Sequence, residues 1–448
     1  MTTQLRMTGL VRASLTVAVL LVGSGCGLLD TNQPDIIDPV KLNTPEGARG
    51  KRIGAISDFA FANDGDGNFN TDSTDGIILS AGLLSDEFVY SGPNPSEQEL
   101  DQRKVADNNA TLLADYFYLH KARVSAEDAA ALLQKYVPTA SSESGVSEML
   151  SLAGYTYIYF AEDFCSGVPY SSLQGGVVVF GPGLSRDSTL KIAIERFDSA
   201  LAQPGVDATT TALAQVGRGR ALLDLAQSGP DFATAAAAVA AVPTSFFYAT
   251  EHTASIQRLQ NGIWTLTTGL LWSVADNKGG SGLFYLAAGD PRVLADSTGD
   301  TGLDLITPQF TQLKYAAADA SVDVADGLEA RLIEAEAQLN TPDLAGMTAT
   351  LNTLRGAFQP GFDTLAVPGS QAAATDLLFN ERAFWLYATG HRLGDMRRLV
   401  RQYGRAVNSV FATGPYLKGS TYGPDVNLPI PIQENNNPLF LGCIDRNP

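Results

Sequence analysis

Along most of the chain apolar residues return at spacings of three and four, the period of a helix with one buried face. The pattern predicts helices over 45–62, 97–121, 126–136, 146–162 and 188–202, and again over 208–227, 231–241, 327–339, 344–358, 372–389 and 392–403. Alternating runs of strand type are few, so the expected fold class is mainly α. The helices come in pairs, most clearly in IERFDSALA (194–202), LAQVGRGRALLDLAQSGPDFATAAAAVAAV (213–242) and LEARLIEAEAQLNTPDLAGMTATLNTLR (328–355). Small residues such as Ala221 and Ala335 stand where two helices must approach, and SGP (228–230) and TPD (341–343) supply the turns. These are tetratricopeptide-like hairpins without a strict repeat period, a rigid helical frame; unrelated antiparallel helix pairs are the alternative. Between about 244 and 322 the pattern gives way to short aromatic runs, FFYAT and IWTLTTG, and glycine-rich turns such as NKGGSG. That stretch reads as a loop-rich insertion, and loops held by a rigid frame are where binding surfaces are built.

The first residues change the picture. Arg6 and Arg12 precede an apolar run over 13–22, then Gly23, Ser24, Gly25 and Cys26. This is the pattern of a secretory signal over residues 1–25 that ends at a cysteine, with Cys26 expected to become a lipidated N-terminus; plain secretion with cleavage nearby is the alternative. The run is too short for a permanent membrane span. Cleavage removes two of the 30 basic residues and none of the 48 acidic ones, taking the net charge from −18 to −20. So acidic a chain argues against nucleic acid or anionic headgroups as ligands. Beyond Cys26 the sequence has only Cys165 and Cys443. In an oxidising compartment two remaining thiols are expected to pair as a disulfide, two separate buried thiols being the other reading.

Two stretches resemble sites. In ERAFWLYATGHRLGDMRRLV (381–400), His391 and Asp395 share a helical face beside a cluster of arginines. With three histidines in the chain a multi-histidine metal site has little material. A structural joint fits better: Gly390 in the left-handed conformation, His391 opening a second helix, Asp395 in its first turn, Arg398 and Arg401 at its far end, and Leu393, Met396, Val400 and Tyr403 as its apolar stripe. Glu381 paired with Arg392 is the expected brace across the break. The loop DGDGNFNTDSTD (64–75) sets Asp64, Asp66, Asn68, Asn70, Asp72 and Asp75 on the positions of a calcium loop. Phe69 in place of the turn glycine and Asp75 in place of the bidentate Glu weaken that reading, which leaves a solvated polar loop as the alternative. No phosphate loop, HExxH, nucleophile elbow or dinucleotide fingerprint occurs, and no catalytic nucleophile stands out.

Several motifs together are similar to the SusD/RagB-like outer-membrane nutrient-binding lipoproteins. They are the lipoprotein-like start, YFAEDFCSGVPY (159–170), the paired helices, GDPRV (289–293), NERAFWLYATGHRLGDMRRL (380–399) and NLPIPIQENNNP (427–438). The resemblance covers most of the mature chain and implies a single SusD-like domain over 26–448. It implies an outward-facing lipoprotein on the outer membrane that captures glycans and passes them, as a lid, to a SusC-like TonB-dependent transporter. Relatives of this architecture also handle peptides, so that ligand class stays open, as do a helical-repeat interaction scaffold and, further off, a glycoside hydrolase. Sugar recognition needs flat aromatic faces. Tyr90, Tyr248, Trp264 and Trp272, all in loop-rich sequence, are the candidates, against the alternative that they pack the insertion onto the frame. No cofactor other than calcium is expected.

Overall fold

The computed structural model describes residues 43–67, 73–137, 140–174 and 176–447. Cys26 and its signal, and Asn68, Asn70 and Asp72 of the calcium-like loop, lie outside the described residues.

Helices dominate. The frame begins with α1 (Pro45–Asp64), opened by the Thr44 hydroxyl, which accepts from Gly47 N–H at 3.0 Å, and by a proline whose missing N–H costs nothing at a helix start. Then come α2 (Ile77–Leu84), α3 (Pro95–Asp101), α4 (Ala110–Tyr136) and α5 (Ala140–Asp163). They are followed by α6 (Arg186–Leu201), α7 (Ala208–Leu225), α8 (Gly229–Val239) and α9 (Gly262–Thr268). The series ends with α10 (Gly327–Asn340), α11 (Leu344–Phe358), α12 (Gln371–Trp385), α13 (Arg392–Arg401) and the short α14 (Val407–Val410). In the order α1, α4, α5, α6, α7, α8, α10, α11 each helix packs on the next, the stacking of tetratricopeptide-like pairs. Ala221 and Ala335 are fully buried as expected, and glycine makes the tightest approach. A Cβ on Gly154 of α5 would lie 2.6 Å, and one on Gly217 of α7 2.3 Å, from the Phe197 ring of α6. Three helices therefore close around one phenyl group, because two of them carry no side chain there.

The sequence pattern and the helices differ in several places. The predicted helix over 97–121 is two, separated where Arg103 takes a φ of 60° and Asn109 caps α4 by accepting from Leu112 N–H at 3.0 Å. The stretch 126–136 continues α4 without a break. The run IILSAGLL forms α2, which the period missed because it is apolar on every side; all eight residues are buried.

Strands are short and pair in antiparallel twos: β1 (Phe88–Tyr90) with β7 (Trp272–Val274), β2 (Val168–Pro169) with β5 (Gly183–Leu184), and β3 (Ser172–Gln174) with β4 (Val177–Val179). Likewise β8 (Ala295–Thr301) pairs with β9 (Pro308–Gln312), and β6 (Phe247–Thr250) with β10 (Val322–Asp326). The last pair closes the base of the loop-rich insertion, and β1 with β7 fastens its middle to the frame. Among the described residues no helix is long and apolar enough to cross a membrane.

Candidate functional site

The His, Asp and Arg block is a buried joint. Gly390 is left-handed, with a φ of 74°, His391 caps α13, and every residue from Arg392 to Leu399 is buried. Asp395 accepts from Arg382 at 2.8 and 2.9 Å and from Arg398 at 2.6 Å. Burial opposes its charge, and Arg382 followed by Arg398 overcomes this, holding the carboxyl far below the usual range. Arg398 also reaches Glu336, and Arg220 binds Glu162. His391 Nε2 lies 2.8 Å from Arg220 and 3.1 Å from Glu329, and burial, then that arginine, lowers the imidazole pKa against the pull of the carboxylate. Most of these polar groups bind one another; Arg382 Nη1 is buried without a hydrogen bond, 3.8 Å from Glu336, and Arg392 lines a separate cleft of about 410 Å³.

The expected Glu381–Arg392 brace is corrected. Arg392 binds Asp86 at 2.6 and 2.9 Å, and Glu381 accepts from Arg292 at 2.7 and 3.1 Å and from Arg355 at 2.7 Å. Arg292 belongs to GDPRV, also binds Asp290, and lies over the Trp385 ring at 4.8 Å. Two motifs far apart in sequence are therefore one ion cluster, and proximity along the chain misassigned the partner.

The loop aromatics are corrected in part. Tyr90 and Trp272 face each other across β1 and β7, pack edge to face at 5.0 Å and are 0% and 1% exposed, so neither has a face left for a ligand. Tyr248 is half-buried and donates its hydroxyl to Glu148 at 2.9 Å; Trp264 is half-buried on α9. These four do not form one platform. In the calcium-like loop Asp64 accepts from Thr250 at 2.6 Å and lies 3.3 Å from His252, Asp66 lies 3.7 Å from Arg258, and burial pushes the Asp75 carboxyl well up, toward its neutral form. Among the described residues no group of three acidic, histidine or cysteine side chains is placed to hold a metal. Left-handed Gly65 and Gly76 bring the loop ends together, a Cβ on Gly76 falling 2.3 Å from Gly65 N.

The structure instead opens a cleft of about 440 Å³, within the size range of ligand pockets. One wall is a stripe of α4: Leu113, Tyr116, Phe117, His120, Lys121 and Val124, offsets of three, four, seven, eight and eleven. The opposite wall is Pro169 and Ser171 from the turn after α5, with Pro431, Gln433 and Glu434 from the LPIPIQE segment. Cys165 and Cys443 are joined, their Cα atoms 6.1 Å apart, and pin that segment to that turn. Cys165 N–H donates to Leu428 O at 2.8 Å, Arg123 to Ser171 O at 2.9 Å, and the Tyr116 hydroxyl to Glu434 at 3.0 Å. Burial, with the Tyr116 bond opposing it, raises the Glu434 carboxyl. Beneath, His120 packs on Tyr116 at 4.6 Å and Phe160 at 4.4 Å, while Phe117 leaves 58% of its surface open. A flat exposed ring over a mostly carbon-walled cleft, with a few polar groups at its edge, suits an amphipathic ligand. Sequence reasoning missed this site because a stripe at helical spacing ordinarily means core. The available signal was a Phe, a His and a Lys within YFYLHK (116–121), where a core stripe has aliphatic residues.

No protein-family model matches the chain, and none of the curated proteins does. Solved structures do. A SusD superfamily protein from Bacteroides thetaiotaomicron superposes with a TM-score of 0.66 at 14% identity, over 90% of this chain and 100% of its own. A SusD-like carbohydrate binding protein from Bacteroides fragilis gives 0.65 at 15% identity, over 89% and 99%. One so described from Bacteroides vulgatus gives 0.58 at 15% identity, over 79% and 83%. At these identities the likeness is one of fold, and it spans nearly the whole frame and insertion: the chain has the mainly α, SusD-like fold.

Proposed function

We propose that the protein is a cell-surface binding lipoprotein that captures glycans and delivers them to a SusC-like TonB-dependent outer-membrane transporter, which it closes as a lid. Cys26 carries the lipid that holds it to the outer face of the outer membrane. The observation that carries the reading is the cleft, which sets the open Phe117 ring beside Gln433, Glu434 and Lys121. The solved structures of this fold described as carbohydrate-binding support it. The protein binds and does not hydrolyse: a glycoside hydrolase needs two carboxylates on the scissile bond, and Glu434 is the one carboxylate among the described residues lining the cleft. The test is purification from detergent-solubilised outer membrane through a C-terminal tag, followed by a glycan array and a peptide pool. A large β-barrel partner and glycan binding are expected. Absence of the barrel refutes the lid role, and turnover of an oligosaccharide refutes binding without chemistry.

A further inference from the structure

The floor of the cleft narrows the ligand, and this step rests on the glycan reading above. His120 Nδ1 lies 3.4 Å from Arg123 Nε. A guanidinium only donates, so Nδ1 is the accepting nitrogen. Burial, and then the charge of Arg123, drives the imidazole pKa well below its usual value, so the ring is neutral. A neutral imidazole that accepts at Nδ1 carries its proton on Nε2. That N–H is buried and has no acceptor among the described residues, in a ring that lines the cleft. A buried donor left unmade is destabilising, so a ligand acceptor that reaches it recovers what the folded chain forgoes.

Beside this donor the cleft wall is carbon at Leu113, Val124, Pro169 and Pro431, with Lys121, Arg123, Ser171, Gln433 and Glu434 as its polar lining. An unsubstituted sugar carries hydroxyls on every edge and would leave their protons against those carbons. An acetamido substituent offers a carbonyl oxygen next to a methyl group. We infer that the cleft takes the acetamido group of an N-acetylated glycan, its carbonyl accepting from His120 Nε2–H and its methyl packing on the Leu113, Val124 and proline carbons.

Calorimetric titration of the full chain compares the β-1,4-linked N-acetylglucosamine trimer with the β-1,4-linked glucose trimer, which has a hydroxyl in place of each acetamido group. The acetylated trimer should bind at least tenfold tighter. His120→Phe keeps an aromatic ring and removes the donor. It should weaken the acetylated trimer roughly tenfold, the usual worth of one hydrogen bond, and the glucose trimer by clearly less. Nitrogen-15 spectra of histidine-labelled protein should show the Nε2-protonated tautomer in the free state, shifted by the acetylated trimer alone. Equal affinity for the two trimers, or failure of both in a protein that holds other glycans, overturns the acetamido assignment and leaves glycan capture standing. Failure of every glycan, with binding of N-acetylphenylalanine amide, overturns the function itself.

Discussion

Replacing both Cys165 and Cys443 by serine tests whether the cleft depends on the cross-link behind it. The two residues are 278 positions apart, and at 25 °C a loop of that length gives about 5.6 kcal/mol of stabilisation in the chain-entropy model. Compactness in the unfolded chain trims this, so a loss of about 3–5 kcal/mol is expected. The folded state should survive, because backbone bonds hold the same segments: Cys165 N–H to Leu428 O at 2.8 Å, Ile444 N–H to Ser166 O at 2.7 Å, and Ser166 N–H to Asp445 O at 3.1 Å. The cleft should still suffer, since Pro431, Gln433 and Glu434 reach it from the pinned segment. Urea unfolding followed by tryptophan fluorescence gives the stability, and a glycan titration gives the affinity. The double variant should unfold at lower urea with a larger slope, its unlinked chain exposing more surface, and bind more weakly. A loss below about 1 kcal/mol with unchanged affinity refutes the reasoning.

Arg292→Met leaves buried Glu381 with Arg355 alone and should cost about 3–5 kcal/mol, part of it recovered in Arg292→Met with Glu381→Leu, as a double-mutant cycle by urea unfolding will read. Burial raises the Glu87 carboxyl to about 8, so the folded chain holds a proton that the unfolded chain releases at lower pH. Stability should therefore fall as pH rises from about 5 to about 8. Glu87→Gln, which keeps the acceptor for Ala388 N–H, should flatten that slope in part, the rest coming from the other raised carboxyls, among them Asp75, Glu162, Asp115, raised to about 6, Asp163, raised to about 8, and Asp326, raised to about 7. Gly217→Ala puts a methyl 2.3 Å from the Phe197 ring and should lower stability by about 1–3 kcal/mol in the same assay. Phe117→Ala, at an exposed position, should leave stability within about 0.5 kcal/mol and weaken glycan binding.

The helical frame was legible because each paired helix carries its own period and its own punctuation. Asp207, Ser228, Asp326, Asp343 and Ser370 all stand at the helix starts where their side chains are wanted. The disulfide was legible from the cysteine count and the oxidising compartment expected from the leader pattern, without any geometry. The ion partners were not: Arg392 reaches Asp86 across 306 residues, and Arg292 reaches Glu381 across 89. A sequence rich in carboxylates offers many partners for each arginine, and only packing selects one.

The cleft divides the same way. Its helical wall is written in the spacing of Leu113, Tyr116, Phe117, His120 and Val124, a property of one helix that local sequence determines by itself. Whether that stripe faces core or solvent is decided by what lies opposite it. Tyr90 and Trp272 show the reverse, aromatics in loop-like sequence that strand pairing turns inward. Burial is a relation between segments, and here the deciding segments, 169–171 and 431–434, are brought to α4 from opposite halves of the chain. The sequence by itself determined the helices, their pairing and the cross-link, each set by short-range spacing or composition; the tertiary structure alone decided which side chains were left facing an open cleft.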